Sequence, residues 1–298
     1  MNFILVDDAD KRRKAHEFSY SFEDCDERGK GPGTMIQEIL ESEQFPELEE
    51  LVIGSWGNSW ERGCQKLIDD IVANADRFSH IRKLFIGDMD FEECEVSWII
   101  QGDYSALWAA MPQLRELTIK GSTELVLGDI CHDTLEALTI ICGGLSTDII
   151  KSIQNAKLPK LKKLLLYIGV EEYGFDGNES TIRELLECAD FPELTYLGIC
   201  DSEMQDELTK VVLESKFMGQ IHTLDLSNGT LSDKGGALLL EKIPEFPNIQ
   251  KLDLHYNFLS DEMAKKLETL PVEVDSSDRN VADGEEDGEV FMYAMLTE

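Results

Sequence analysis

Residues 249–260 read IQKLDLHYNFLS, with apolar side chains at Ile249, Leu252, Leu254 and Leu259. Around Leu252 the alternation has the period of two that sends successive side chains to opposite faces of a strand. The frame apolar-x-x-Leu-x-apolar also opens LEELVIGSW (48–56), IRKLFIGDM (81–89), LRELTIKGS (114–122) and LEALTIICG (135–143). It returns in LKKLLLYIG (161–169), LTYLGICDS (194–202) and IHTLDLSNG (221–229). Its aligned leucines are Leu51, Leu84, Leu117, Leu138, Leu164, Leu197, Leu224 and Leu252, separated by 33, 33, 21, 26, 33, 27 and 28 residues. VEVDSS (272–277) is a degenerate ninth copy.

Between most copies the apolar spacing changes to about 3.6, the period of a helix with one buried face. QKLIDDIVANADRF (65–78), SWIIQGDYSALWAAM (97–111), DIIKSIQNAKL (148–158), TIRELLECADF (181–191), DELTKVVLESKF (206–217), KGGALLLEKI (234–243) and DEMAKKLETL (261–270) are the predicted helices. The span between Leu117 and Leu138 is too short for one, so ELVLGDI (124–130) is expected to return extended. One such unit cannot bury its apolar side alone, so units stack and share a core. The predicted fold is α/β: a leucine-rich-repeat solenoid or horseshoe, parallel sheet on the concave side, helices on the convex side, right-handed overall. Residues 1–44 are assigned to an N-terminal cap, 45–271 to repeats and 272–298 to a C-terminal cap, all in one domain.

The stretch LDLSNGTLSDKGGALLLEKIPEFPNIQKLDLHYNFLSDEMAKKL (224–267) resembles leucine-rich repeats of the ribonuclease-inhibitor type. EECEVSWI (92–99), the series at 196–203 and LDLSNGTLSD are similar to a small bacterial family of cytoplasmic leucine-rich-repeat proteins with no assigned activity. The resemblance implies a fold and no chemistry. It also implies Asn at the ninth repeat position, bonding backbone at the turn out of the strand. Here that position holds Trp56, Met89, Ser122, Gly143, Gly169, Ser202, Gly229 and, once, Asn257. Irregular curvature is expected.

The residues flanking each strand's core leucines form the concave surface. They include four acids (Glu50, Glu116, Asp225, Asp253) and four lysines (Lys83, Lys120, Lys163, Lys251). The chain carries 27 basic and 60 acidic residues, a formal net charge of −33. That excess therefore resides on helices and rims, and it makes anionic nucleic acid or lipid a poor partner. The middle of the face, Thr139, Ile141, Leu165, Tyr167, Tyr196 and Cys200, is apolar and aromatic, as protein contact sites often are. The insert VEEYGFDGNES (170–180) stands equally as a lid over it.

The candidate chemistry is thin. No GxSxG, HExxH, Walker A or zinc-type CxxC spacing occurs. GKGPGT (29–34) reads as the turn into a helix. GDMDFEECE (87–95) crowds carboxylates at no metal-loop spacing, and EVDSSDRNVADGEEDGE (273–289) reads as a mobile acidic loop before a closing strand at 290–296. Trp98 and Trp108 are assigned to core packing; Trp56 and Trp60 either close the core or rim the face. Among His16, His80, His132, His222 and His255, only His255 is placed on the concave face, near Asp225 and Asp253. Seven unpaired-looking cysteines and an N-terminus unlike a secretory signal point to a reducing cytoplasm. No stretch is apolar enough to span a membrane.

The function this predicts is non-enzymatic binding of a protein or peptide. Phe85, Thr139, Tyr167, Tyr196, Asp225, Asp253, His255 and Tyr256 are the expected contacts, and no metal or cofactor site is expected. The alternatives are an enzyme or accessory subunit using a His255/Asp225/Asp253 corner, and a structural subunit that self-associates. The oligomeric state is left open, a monomer included.

Overall fold

A computed structural model describes residues 15–286 and 289–296. The chain forms two compact units, the first holding residues through 141 with 156–161, the second holding 142–155 and 162 onward.

The first unit contains β1 (Ala15–Phe18), α1 (Phe22–Arg28), α2 (Pro32–Glu41), β2 (Glu50–Ile53), α3 (Gln65–Ala73), β3 (Lys83–Ile86), α4 (Leu107–Ala110), β4 (Glu116–Lys120) and β5 (Ala137–Ile141). All five strands run parallel in chain order. The register puts Leu51 beside Leu84, Leu84 beside Leu117 and Leu117 beside Leu138. The repeat leucines therefore form one buried column. Each contributes roughly 1.5–3 kcal/mol by leaving water. β1 is an addition to the repeats: AHEF lacks the leucine frame, and His16 pairs where a leucine would stand.

Two expectations fail in this unit. The segment 97–111 is helical only at Val96–Trp98, as a single 3₁₀ turn, and at α4. Between them the backbone is extended, with Ile100 bridging Thr123 and Asp103 bridging Val126. Those bridges are made by Thr123 and by Val126 of the 124–130 return, which runs without helix as expected. Trp108 is buried and donates its ring N–H to the Leu127 carbonyl at 2.7 Å, whereas Trp98 is 58% exposed. Trp56 is fully buried and Trp60 half-exposed.

The second unit contains α5 (Thr147–Gln154), β6 (Lys163–Gly169), α6 (Glu179–Cys188), β7 (Tyr196–Ser202), α7 (Gln205–Leu213), β8 (Thr223–Asp225), α8 (Asp233–Lys242), β9 (Lys251–Asp253), α9 (Asp261–Leu267), β10 (Glu273–Asp275), β11 (Asp283–Glu286) and β12 (Glu289–Phe291). β6 to β10 are parallel and build this unit's own leucine column: Leu164, Leu197, Leu224 and Leu252, closed by Val274 of the ninth copy. The predicted helices form within a few residues of their expected limits. Ser232 and Ser260 cap α8 and α9 by accepting backbone N–H bonds, which satisfies donors the first turn leaves open. Each block is thus an α/β leucine-rich-repeat solenoid. The stretch 273–289 is not one loop: Glu273–Asp275 is a strand, and β11 pairs antiparallel with β12. Residues 287–288 lie outside the described residues. The expected closing strand shrinks to β12, and residues 292–296 continue irregularly.

Glutamines do comparable backbone-bonding work in two of the repeats that lack the asparagine. Asn257 donates to the Leu226 and Leu254 carbonyls at 2.8 and 3.1 Å and accepts from Leu231 N–H at 3.0 Å. In the β7 repeat Gln205, fully buried three residues past the expected site, donates to the Ile199 carbonyl at 2.8 Å and accepts from Ser202 N–H at 3.3 Å. In the first unit Gln101 donates to the Lys120 carbonyl and accepts from the Tyr104 hydroxyl, both at 2.7 Å. A longer amide reaches the same kind of orphan backbone group from a different position.

Candidate functional site

The strand face of the second unit concentrates the polar chemistry. Asp225, Asp253 and Asp275 end β8, β9 and β10 and are register neighbours. Side chains two residues apart share a face, so Ser227, His255 and Ser277 form a second row beside them.

The three aspartates differ in what they hold. Asp225 is buried; Oδ2 accepts from the Tyr196 hydroxyl at 2.5 Å. Its Oδ1 accepts from Ser227 Oγ at 2.6 Å, from Ser227 N–H at 3.1 Å and from the Cys200 thiol at 3.1 Å. Asp253 is half-buried, with Oδ1 2.5 Å from His255 Nδ1 and Oδ2 3.2 Å from Lys251 Nζ. Asp275 Oδ1 accepts from Ser277 N–H at 3.1 Å and Oγ at 2.7 Å.

Burial alone would raise Asp253; the His255 hydrogen bond and charge, with Lys251, outweigh it and hold the carboxyl below its ordinary value. Burial likewise pushes His255 down, but its bond to Asp253 and the charges of Asp253, Asp225 and Asp275 prevail, and the imidazole is raised. Burial and the neighbouring Asp225 push the Cys200 thiol and the Tyr196 hydroxyl well up. Cys200 is therefore a protonated, fully buried donor and no nucleophile.

The eight expected contacts separate by accessibility. Thr139, Tyr167 and Asp225 are buried; Phe85, Tyr196, Asp253, His255 and Tyr256 are half-exposed. Phe85 lies in the first unit, in register with Val52 and Thr118, both half-exposed. Tyr167 pairs with Cys200. The expected His255/Asp225/Asp253 corner is rearranged: Asp225 is committed to Tyr196, Ser227 and Cys200, and the carboxylates gathered with His255 are Asp253 and Asp275. Asp275 was missed because it sits in the degenerate copy VEVDSS, read as cap and not as face. Its spacing from Asp253 was the available signal.

The insert after β6 packs on the neighbouring turn. Gly144 bridges Gly169, and Asp176 accepts the Thr147 N–H at 2.7 Å, a bond that caps the approach to α5. In the first unit Asp90 and Glu93 of the acidic loop accept each other's N–H at 3.0 Å, and the Lys120 ammonium bonds the Met89 carbonyl. His80 and His132 bond loop carbonyls of Phe45 and Met111.

Stacked strand–helix units with a shared leucine column define a leucine-rich-repeat protein. No family model and no curated protein matches the chain. Among solved structures, a Bacteroides fragilis protein from a structural-genomics programme is 39% identical and superposes with a TM-score of 0.84, covering 90% of this chain and 75% of its own. The chain belongs to the same family as that protein. A Listeria monocytogenes internalin aligns over 82% of this chain and 63% of its own, at 14% identity and a TM-score of 0.30. No helix among the described residues is long and apolar enough to cross a membrane.

Proposed function

We propose that this protein is a non-enzymatic scaffold that binds another protein or peptide through the strand face and its rim. Tyr196 carries the reading. The residue is half-buried, its hydroxyl is tied to buried Asp225 at 2.5 Å, and Lys163 Nζ stands 4.5 Å from its ring centroid. The side chain is thus held in one orientation before any partner arrives. Contact through such a group forfeits little rotamer freedom, the cost that weakens flexible surfaces. Tyrosines held this way recur as interface hot spots.

The rim adds Tyr256, whose ring meets His255 edge-on at 5.2 Å. Opposite charges alternate nearby at Lys251, Asp253 and Glu273, which favours a polypeptide of mixed charge over a uniformly anionic partner such as nucleic acid. The seven free thiols support a cytoplasmic setting, and the spacing around Asn257 supports the ribonuclease-inhibitor-like repeat type.

The test is affinity capture from native lysate with the wild type, Tyr196→Ala and Tyr256→Asn. Asparagine suits the left-handed backbone at 256, where φ is +54°. Each substitution is expected to weaken the captured partner's binding by roughly 30-fold, the 2 kcal/mol of a hot spot, measured on the purified pair. Thermal melts separate loss of contact from loss of fold. Identical capture by all three folded proteins would defeat the proposal.

A further inference from the structure

The Asp-x-Ser arrangement recurs at the ends of β8 and β10: Ser227 Oγ bonds Asp225 Oδ1 at 2.6 Å, and Ser277 Oγ bonds Asp275 Oδ1 at 2.7 Å. On β9, between them, the equivalent residue is His255. Serine meets the structural need of closing the aspartate's turn in both neighbouring copies. The imidazole brings something the turn does not require, a nitrogen donor among carboxylates.

That nitrogen, one oxygen of Asp253 and one of Asp275 all lie within 4.8 Å of one another. We propose that Asp253, His255 and Asp275 form a binding site for a divalent transition-metal ion of the zinc class. One imidazole nitrogen and two carboxylate oxygens suit an ion of borderline softness. Metal–ligand bonds of about 2.0–2.2 Å place such atoms roughly 3–3.5 Å apart. The Asp253–His255 pair, now at 2.5 Å, must open by roughly 0.5–1 Å, which side-chain rotation supplies.

The surroundings favour the site. Asp253 and Asp275 are held by backbone pairing in register, so the strands and not a loop fix their spacing. Ser277 orients Asp275 from behind, as outer-shell partners orient metal ligands. Asp225 and Glu273 add negative charge, with Lys251 the cation bonded to Asp253. Three protein ligands leave positions open for water or for a donor from a bound partner. The inference stands whether or not the scaffold reading holds.

Isothermal titration of the chelator-treated full chain with zinc chloride tests it, alongside cobalt(II) titration followed by visible absorption. The wild type is expected to bind one ion saturably and to give a cobalt spectrum of low coordination number. His255→Ser installs the residue both neighbouring copies use, so the fold is kept and the nitrogen donor lost. It and Asp275→Asn are each expected to weaken zinc by at least the roughly 10–100-fold that loss of an outer-shell partner costs. Glu273→Gln, which removes charge without removing a ligand or an outer-shell partner, is expected to change affinity by less than about tenfold, the lower end of that range. Absence of saturable zinc binding by the wild type overturns the proposal. So does binding that His255→Ser and Asp275→Asn leave intact, which would belong to thiols such as exposed Cys131 and Cys188.

Discussion

Asp201 gives the sharpest test of the energetics. It sits near the end of β7 at φ +57° with no exposed surface. Its Oδ1 accepts the Leu296 N–H at 2.8 Å, while Oδ2 is buried without a hydrogen-bond partner among the described residues. Burial drives the carboxyl up to about 7, against the pull of the Leu296 and Met295 N–H groups. The folded chain therefore keeps a proton that the unfolded chain releases near 3.8. Stability from this site is complete below that value and drains away as pH rises toward 7, beyond which the loss is constant. The interval from 3.8 to about 7 corresponds to roughly 4 kcal/mol at 1.36 kcal/mol per decade, and the part lost above pH 5.5 to about 2 kcal/mol. Asp201→Asn keeps the acceptor, tolerates the left-handed backbone and cannot ionise. It also buries an amide donor, at roughly 1–3 kcal/mol independent of pH. The expected outcome is that the variant gains about 2 kcal/mol on the wild type between pH 5.5 and 8.5, about 4 °C in melting temperature. Calorimetry at four pH values measures it. Other carboxyls titrate in both proteins and cancel in the difference. A pH-independent difference, or a wild type that gains on the variant as pH rises, refutes the reasoning.

Gly169→Ala is expected to cost roughly 2–4 kcal/mol in chemical denaturation. Its φ is +72°, and an added Cβ would lie 1.8 Å from the Gly143 carbonyl oxygen; wild-type stability in that variant would contradict the packing of the insert. Gln205→Ala strands the Ile199 carbonyl and Ser202 N–H of buried β7 and is expected to cost roughly 2–4 kcal/mol, whereas a surface glutamine would cost almost nothing. Acrylamide is expected to quench Trp60 and Trp98 emission but not that of buried Trp56 and Trp108. Trp60→Phe with Trp98→Phe should abolish the accessible fraction, and persistence of that fraction would misplace these rings.

The leucine column was legible because each repeat leucine obeys a single demand, burial against the next copy, and alternation reveals it. The helices after Leu51, Leu138, Leu164, Leu197, Leu224 and Leu252 were legible for the same reason. The segment 97–111 misled because its apolar residues satisfy helical spacing while the backbone of Ile100 and Asp103 bridges to Thr123 and Val126, which lie twenty-odd residues on. A local period cannot report a non-local bridge. Equivalent register positions along the strands differ in depth. Tyr167, flanking its strand's core leucines as Phe85 does, is buried where Phe85 is half-exposed. Alternation tells which way a side chain points and nothing of what its neighbours cover. Gln101 and Gln205 escaped notice because the work normally done by asparagine moved to another position, with one more methylene to span the distance.

The same contrast separates structural polarity from polarity available for binding. In a repeat, each position's structural requirement is displayed by its neighbours. Where the copies on either side agree, as Asp225–Ser227 and Asp275–Ser277 do, the shared residues are explained by the turn they close. Where one copy departs without loss of that turn, as His255 does beside Asp253, folding does not account for the choice. Gln205 departs too, but both ends of its amide are consumed by backbone, so its departure is explained. Tyr196 is intermediate: its hydroxyl serves Asp225, and the residue as a whole is only half-buried. What survives this subtraction on the second unit's strand face is an aromatic ring held in place and a nitrogen between two carboxylates. Both lie on backbone fixed by parallel pairing. A binding surface built there would need little rearrangement to act, and its affinity would depend on those few side chains far more than on the total negative charge of the chain.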